Sequence, residues 1–424
     1  MLAGVEVSRA GAAFQQDGKE YPAGTFVIPF GQVFGRYAKD ILEKQTYPEV
    51  RRSPGAPAEA PYDVSAWSLG MQFGVRVEFA HTALPAKLAL TRLDAAPAYV
   101  LRAVSNGDNR RFAYNGALPA MIVNRLLQSG ATVALTRPSD GSDPWVVAQA
   151  TPAEWSKATE GFDVREVPGG TQNPAVAIHK PRIGIYQSYD PSMDEGWTRW
   201  VLDHYGFAYT VLHNPDIKAG GLRRKFDAIV LPDQRPASIL NGLDYKTIVT
   251  QYRGGIGEDG WSNLQQFFNE GGTLIALGDA TGLLLERMPF GVKDLKRTYT
   301  RDQHFAPGAI VNLQVDTLSP IGRGLARETF GFYINSPFFQ LTEGFASQKV
   351  AVVARYPNAN VNASGWLRGE DLMFGRAAVV TIENPGKIVL FGIRPQHRAQ
   401  THATFGLLFN ALYWSCESGI AGAQ

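Results

Sequence analysis

Short apolar runs alternate with helical segments from residue 182 to the end of the chain, and this alternation constrains the fold more than any other feature. The sequence predicts strands at residues 182–186, 209–212, 226–231 and 273–277. It predicts helices between them at residues 195–205 and 259–269. Strands that are apolar throughout and separated by helices are typical of a parallel sheet covered on both faces. We therefore predict an α/β fold with a doubly wound, mostly parallel sheet.

The rest of the chain divides at a candidate linker, residues 169–174. Residues 1–175 are predicted to form an N-terminal α/β module, with a hairpin turn at Asp17-Gly18, its return strand at 25–28, and a capping box at Thr151 that begins a helix. Residues 181–424 are predicted to form the doubly wound domain, with a β-rich insertion at about 290–376. Because the sequence starts abruptly at Leu2, we expect an upstream portion and possible opening elements of the first module to be missing.

Composition excludes several classes of function. The 424 residues carry 41 basic and 39 acidic side chains, a net charge of +2, with no long basic run, so neither nucleic acid nor an anionic membrane surface is an expected partner. The single cysteine, Cys416, excludes an intrachain disulfide and a thiolate zinc cage. No apolar stretch approaches the roughly 20 residues of a membrane span, and no signal peptide is visible in this chain.

The segment TLIALGDATGLLLE, residues 273–286, carries an apolar strand through a glycine-flanked turn into an apolar helix. This layout exposes the nucleophile in Gly-x-Ser-x-Gly and Gly-x-Cys-x-Gly enzymes, but the central residue here is Ala280. Two interpretations remain open. The turn either keeps such a scaffold without its reactive atom, or it is structural, with Asp279 capping the helix and Gly278 and Gly282 permitting a tight turn and close packing.

Ligands of doubly wound sheets bind beyond the carboxyl ends of the strands, and several polar residues follow strands here. The binding residues predicted at this rim are Asp190, Asp194, Glu195, Trp197, Asp279, Thr281, Arg394, Gln396, His397, Arg398 and His402. The four basic residues between 394 and 402 suit either an anionic guest or a salt-bridged surface turn. Trp197 suits a core position better than a ligand platform. No catalytic residue is predicted.

Other chemical motifs are weak or missing. Residues 255–260 match Gly-x-Gly-x-x-Gly, but Glu258 and Asp259 would place negative charge where a pyrophosphate must bind. The sequence contains no His-Glu-x-x-His, no His-x-x-Glu and no cysteine cluster. We therefore predict no cofactor and no metal site.

Several motifs together resemble known families. The 273–286 segment, and the terminal strand followed by Gln396-His397, resemble a class I glutamine amidotransferase-like domain, which implies a flavodoxin-like sheet with Ala280 in place of the family's cysteine. A closer resemblance is carried by YPAG at 21–24, QTYP at 45–48, PYDVSAW at 61–67, DEGWTRW at 194–200, YRGGIG at 252–257 and FGIRPQHR at 391–398. These look like the C-terminal half of large bacterial zinc carboxypeptidase-like proteins of the carboxypeptidase A family. That resemblance implies a periplasmic or extracellular protein with a zinc peptidase domain, whose ligand set is absent from this sequence.

Three hypotheses follow. The leading one is a non-catalytic amidotransferase-like module that binds a small-molecule or peptide ligand, or a zinc peptidase domain encoded upstream or separately. The alternative is a hydrolase with His397 as general base and Ser188, Ser336 or Thr281 as nucleophile. The third is a structural module that stabilises the peptidase domain.

Overall fold

The computed structural model describes residues 3–138, 142–168, 173–243, 247–342 and 349–421. The helices are α1 (Gly35–Leu42), α2 (Leu69–Gln72), α3 (Pro119–Ser129), α4 (Pro152–Ala158), α5 (Met193–His204), α6 (Asn214–Lys218), α7 (Leu222–Lys225), α8 (Pro236–Asn241), α9 (Gly257–Asn269), α10 (Thr281–Arg287) and α11 (His402–Ser415). The strands are β1 (Ser8–Ala10), β2 (Phe14–Gln16), β3 (Lys19–Tyr21), β4 (Phe26–Val27), β5 (Leu90–Arg92), β6 (Tyr99–Asn106), β7 (Asn109–Ala113), β8 (Thr132–Thr136), β9 (Trp145–Gln149), β10 (Phe162–Glu166), β11 (Ala175–Ile178), β12 (Ile183–Tyr186), β13 (Tyr209–Leu212), β14 (Ala228–Leu231), β15 (Thr273–Leu277), β16 (Val292–Asp294), β17 (Ala309–Val315), β18 (Glu328–Tyr333), β19 (Phe339–Leu341), β20 (Lys349–Arg355), β21 (Asn362–Ser364), β22 (Ala377–Glu383), β23 (Lys387–Phe391) and β24 (Glu417–Ala421).

The main sheet has a parallel half with the strand order β13-β12-β14-β15-β23. Numbered within this domain, the order is 2-1-3-4-5, which is the flavodoxin-like arrangement. Strands β12, β14 and β15 are buried at every position, as expected for strands with helices on both faces. The predicted α/β fold with a doubly wound, mostly parallel flavodoxin-like sheet is confirmed.

The same sheet continues beyond β23 with antiparallel strands, so that it reaches twelve strands. β22 pairs with β23, and β20, β17 and β18 follow in that order. The region predicted as β-rich, 290–376, contributes six of these strands, from β16 to β21. β18 is the outermost strand on this side.

A second sheet of seven strands has the order β10-β6-β7-β9-β8-β11-β24. Its last strand comes from the C-terminal end of the chain and pairs antiparallel with β11. The predicted capping box is present at Thr151, and Gly130 ends α3 with a φ of 88°. The predicted linker at 169–174 falls largely outside the described residues, which omit 169–172.

Helix α11 joins the two sheets. It is apolar on all sides, and eleven of its residues are buried, as expected of a helix enclosed by other elements. Its few polar groups are satisfied inside the core: the Tyr413 hydroxyl lies 3.0 Å from Asn124 Oδ1, and Asn410 Nδ2 donates to the Ile321 carbonyl at 2.9 Å. One continuous apolar cluster therefore includes residues of both sheets, such as Leu101 and Ile185.

The first 92 residues contain little regular structure. The predicted turn at Asp17-Gly18 is present, with φ values of 51° and 75°, but the expected return strand at 25–28 is wrong. β2 returns at once as β3, while Phe26–Val27 pairs with β1. Within the described part of the chain, no helix is long and apolar enough to cross a membrane.

Candidate binding site at the strand ends

The parallel strands β12, β14, β15 and β23 end at one edge of the main sheet, and their following loops meet there. The loop after β14 supplies Asp233, the loop after β15 supplies Asp279, and the loop after β23 supplies Arg394. Asp194 comes from the first turn of α5, which follows β12. These four side chains come from four different loops or helix starts.

Arg394 lies at the centre of this group and bridges two carboxylates. Its Nη1 is 2.6 Å from Asp194 Oδ2, and its Nη2 is 2.6 Å from Asp233 Oδ2. The other oxygen of Asp233 accepts a hydrogen bond from the Asp279 backbone N–H at 2.6 Å. Gln396 Nε2 donates to Thr198 Oγ1 at 3.0 Å and lies 3.4 Å from Asp194 Oδ1. Ion pairs and hydrogen bonds within the chain therefore link the loops at this edge of the sheet.

The pair of carboxylates carries more negative charge than Arg394 can neutralise. Burial raises the pKa of Asp194 to about 7, against the opposing effect of Arg394, and the Asp233 charge adds to the rise. Burial likewise raises the pKa of Asp233. One proton is thus exchanged with this group near neutral pH, which gives the site a titratable centre.

Asp194 should make stability depend on pH. Because its folded pKa lies above the ordinary value of 3.8, its contribution is fully present below about pH 4 and is lost as pH rises through about 7. Asp194→Asn stays neutral, so its free energy of unfolding should not fall in this way. We expect it to rise relative to that of wild type by about 2 kcal/mol as the pH increases from 5 to 8. Urea unfolding of both proteins across this range measures the difference. A pH-independent difference would show that Asp194 does not titrate there.

The two predicted histidines take no part in the ion pairs of Arg394. His397 stacks on Phe332 with ring centroids 3.8 Å apart and meets Trp197 edge-on at 4.9 Å. Burial, with the neighbouring Arg394 and Arg398 charges, lowers the pKa of His397 to about 3, so its ring is neutral. His402 stacks on Phe73 at 4.1 Å, and burial lowers its pKa to about 4.

An anionic guest for the four basic residues is therefore not favoured by this arrangement. Arg394 is already paired with two carboxylates, and both histidines are neutral and packed against aromatic rings. Arg398 is exposed and has a φ of 48°, followed by Ala399 at 54°. Two consecutive non-glycine residues with positive φ indicate local backbone strain beside His397. The basic residues between 394 and 402 were interpreted either as an anion site or as a salt-bridged turn, and the contacts of Arg394 agree with the second.

Glu195 and Asp190 make other contacts. Glu195 pairs with Arg199 at 2.6 Å on α5. Asp190 contributes its backbone carbonyl, which accepts from Ser188 Oγ at 2.5 Å and from Gln234 Nε2 at 2.9 Å. Neither carboxylate touches the Arg394 group through a described hydrogen bond.

Asp233 is not among the binding residues predicted above. Its role depends on two partners that are distant in sequence, Arg394 and the Asp279 N–H. The signal in the sequence is a carboxylate two residues after a continuously apolar strand. Asp233 is therefore recognisable in the sequence from its position just after a strand end.

The turn between β15 and α10 differs from a nucleophile elbow. Ala280 has an ordinary helical conformation, φ −63° and ψ −21°, and is completely buried in the apolar cluster beside Leu283 and Leu284. Ala280 therefore does not lie at an exposed tip, because the strand continues through a 3-10 turn (Gly278–Ala280) directly into the helix.

The structural interpretation of the turn is correct for its glycines and wrong for Asp279. A Cβ at Gly278 would overlap the Asp233 carboxylate, and one at Gly282 would overlap Arg297. Asp279 does not cap α10, which has no side-chain cap; its carboxylate lies 3.5 Å from Lys296 Nζ instead. Thr281, which is fully buried, donates to the Gly278 carbonyl at 2.8 Å.

A cysteine introduced by Ala280→Cys should not behave as a nucleophile. The side chain would face the core, where burial raises a thiol pKa, as it does for Cys416, to about 12. We expect the folded variant to react with iodoacetamide no faster than wild type, and both to react fully in urea. Rapid labelling of one thiol in the folded variant alone would show that position 280 reaches solvent.

The other motifs do not form a site. The Gly-x-Gly-x-x-Gly segment opens α9, and Glu258 there pairs with Arg287 at 2.7 Å. Across the described residues, no group of three or more His, Cys, Asp or Glu side chains is arranged to hold a metal ion.

Comparison with known proteins gives distant resemblances only. No protein-family model and no curated protein sequence matches the chain. Among solved structures, a ThuA-like protein from Bacteroides uniformis is 12% identical over 59% of this chain and 95% of its own length, with a TM-score of 0.35. A ThuA-like protein from Parabacteroides merdae is 12% identical over 55% and 90%, with a TM-score of 0.35.

A glutamine amidotransferase from Thermotoga maritima is also similar. It is 10% identical over 57% of this chain and 100% of its own length, with a TM-score of 0.33. The chain thus has ThuA-like and glutamine amidotransferase structures among its neighbours. The fold assignment itself rests on the strand order of the parallel sheet.

Proposed function

We propose that this chain is a non-catalytic binding module of a zinc carboxypeptidase-like protein, exported to the periplasm or beyond the cell. The observation that carries the proposal is the ion-paired group at the strand ends, together with the buried position 280. Arg394 is held by Asp194 and Asp233, and position 280 faces the core, so the place where an amidotransferase-like fold would carry its nucleophile has no reactive group.

The partner in this proposal is a zinc peptidase domain of the carboxypeptidase A type. The motifs quoted above, from residue 21 to residue 398, support that relationship by resemblance. The first 92 residues also support binding of a polypeptide, because they expose several large apolar side chains, among them Phe26, Val33 and Tyr62. Apolar side chains concentrated in one part of a surface are typical of protein interaction sites.

The proposal is tested with the purified chain and the zinc peptidase domain encoded nearest to it in the same genome. Size-exclusion chromatography with light scattering is expected to detect a one-to-one complex. The chain alone is expected to show no turnover of ester, amide or peptide substrates. Separate elution of the two proteins at micromolar concentration would contradict the proposal.

One observation favours the hydrolase alternative: His397 Nδ1 is buried and has no hydrogen-bond partner among the described residues. The candidate nucleophiles, however, are engaged elsewhere. Ser188 donates to the Asp190 carbonyl, Thr281 to Gly278, and Ser336 to the Ile334 carbonyl at 3.2 Å. None of the three donates to His397, and a ring with a pKa of about 3 is a weak base at neutral pH.

Variants of His397 distinguish the binding-module proposal from the hydrolase alternative. We expect His397→Phe to keep the stability of wild type within about 1 kcal/mol, because a similar flat ring fills the space between Phe332 and Trp197. His397→Ala should lose about 2 kcal/mol through the cavity. Neither variant should change hydrolysis of ester, amide or peptide probes. Turnover by wild type that both variants abolish would establish the hydrolase instead.

A further inference from the structure

A large open cleft lies beside β18, the outermost strand of the main sheet. Its volume is about 1280 Å³, which exceeds that of a small-molecule pocket. Residues 328–330 of β18 line one part of it, and residues 75–77 and 79–81 line another. The cleft is thus bordered by a sheet edge and by an extended segment of the N-terminal region.

The first half of the β18 edge has unpaired backbone groups. Val315 N–H donates to the Arg327 carbonyl, and Arg394 N–H donates to the Phe332 carbonyl from the other side. Successive residues of an antiparallel strand point their backbone groups alternately toward and away from the partner strand. Given these two bonds, the N–H and C=O groups of Glu328, Phe330 and Phe332 point away from β17. Only Phe332 has an outward backbone partner among the described residues; Glu328 and Phe330 have none.

The facing segment has the sequence pattern of a strand but no strand partner. Residues 75–79 read VRVEF, and Val77 and Phe79 are half-buried while Arg76 and Glu78 are exposed. This alternation has the period of a β-strand. Within the described chain, residues 76–80 make no backbone hydrogen bond. The outer edge of β18 and a strand-like segment without a described backbone hydrogen bond therefore border the same cleft.

The side chains in the cleft favour an apolar, uncharged contact. Leu42, Met71 and Val77 contribute apolar surface, together with Phe330 from β18. The charged residues of the lining carry both signs, so neither sign dominates; they are Lys39, Glu43, Lys44, Arg76 and Glu328. Lys39 and Glu43 pair with each other at 3.1 Å, and Arg76 lies 3.7 Å from Glu78. Backbone hydrogen bonds and apolar side chains, rather than charge, would hold an occupant here.

We propose that this cleft binds an extended strand of a partner polypeptide, which adds to the edge of β18 at Glu328 and Phe330. The donors and acceptors of the edge supply backbone hydrogen bonds, and the apolar lining selects a segment whose alternate side chains are apolar. This inference rests on the proposed function only in that the occupant belongs to another polypeptide. It adds the mode of recognition and its place on the fold.

The test uses a matched pair of variants at Glu328, an exposed residue at the start of β18. Glu328→Pro removes the outward N–H at a position where proline is tolerated, since that N–H does not bond to β17. Glu328→Ala removes the same carboxylate but keeps the N–H. Equal thermal melting temperatures of the two variants will establish that both are folded.

A displayed library of random dodecapeptides is panned on the intact chain, and the selected peptides are synthesised and measured by fluorescence anisotropy. We expect the selected peptides to have apolar residues at alternate positions. Their dissociation constants for Glu328→Ala should lie within twofold of those for wild type, and those for Glu328→Pro should be about tenfold higher. Hydrogen exchange at the Phe330 amide should slow on binding. Peptides that bind both variants equally, or no selected peptide at all, would overturn the inference.

Two further outcomes separate this inference from the proposed function. If the zinc peptidase domain binds wild type and Glu328→Pro equally and no peptide distinguishes the variants, the module proposal stands and the strand site is wrong. If peptides distinguish the variants but the peptidase domain does not bind, the strand site stands and the proposed partner is wrong. A homodimer that Glu328→Pro dissociates would identify a second copy as the occupant and would overturn the inference.

Discussion

Gly278→Ala is expected to destabilise the protein by about 3 kcal/mol, although it adds a single methyl group. Gly278 has a φ of 55°, a conformation that costs an L-residue about 1–2 kcal/mol. The added Cβ would also overlap the Asp233 carboxylate, with Cγ as well as Oδ1 too close. Asp233 cannot simply rotate away, because one oxygen holds Arg394 and the other accepts the Asp279 N–H. Moving it leaves a buried donor unsatisfied, at about 1–3 kcal/mol.

Gly271→Ala is the matched control for this prediction. Gly271 follows α9 and has a φ of 88°, but a Cβ there would meet no atom within 4 Å. We expect it to cost about 1 kcal/mol, the conformational part alone. Chemical denaturation of both variants measures the two free energies of unfolding. Equal losses would mean that the contact between Gly278 and Asp233 contributes nothing.

The fold was predictable where burial made the sequence uniform. β12, β14 and β15 are apolar throughout because helices cover both faces of the sheet, and their positions followed from the sequence. β7 was not predicted, because its segment NRRFA begins with polar residues and becomes a strand by pairing with β6 and β9. β24 lies more than 200 residues from its partner β11, so no local pattern could indicate it.

The sequence indicates which residues lie at the strand ends, but it does not indicate which of them contact each other. Strand-end loops are recognisable in sequence, which is why Asp194, Asp279 and Arg394 were predicted to share a rim. The pairing of Arg394 with Asp194 and Asp233 joins residues 200 and 161 positions apart. The sequence left an anionic guest and a salt-bridged turn both open for Arg394, because it does not show these contacts. The same limit applies to Ala280, whose glycine-flanked sequence gives no information on which way its side chain points.

Arg394→Ala is expected to cost about 3–5 kcal/mol at pH 8, because it leaves two buried carboxylates without their counter-charge. Removing one partner of a buried ion pair is more damaging than its net contribution suggests, since the desolvated charges remain. The loss should shrink as the pH falls. Arg394 opposes the rise in the pKa of both Asp194 and Asp233, so without it both folded-state pKa values rise further and acid protonates both groups.

Arg287→Ala provides the control for Arg394→Ala. Like Arg394, Arg287 makes two short contacts to carboxylate oxygens, at 2.7 Å each, but both oxygens belong to Glu258, which is exposed. Solvent screens that pair, so its loss should cost about 1 kcal/mol or less and depend little on pH between 5 and 8. Unfolding in urea at pH 5 and pH 8 gives all four values. If the two arginine variants lose the same free energy at both pH values, the Asp194, Arg394 and Asp233 group is an ordinary surface ion pair. A large loss that recovers in acid would instead identify this group as the buried charged centre that fixes the four strand-end segments to one another.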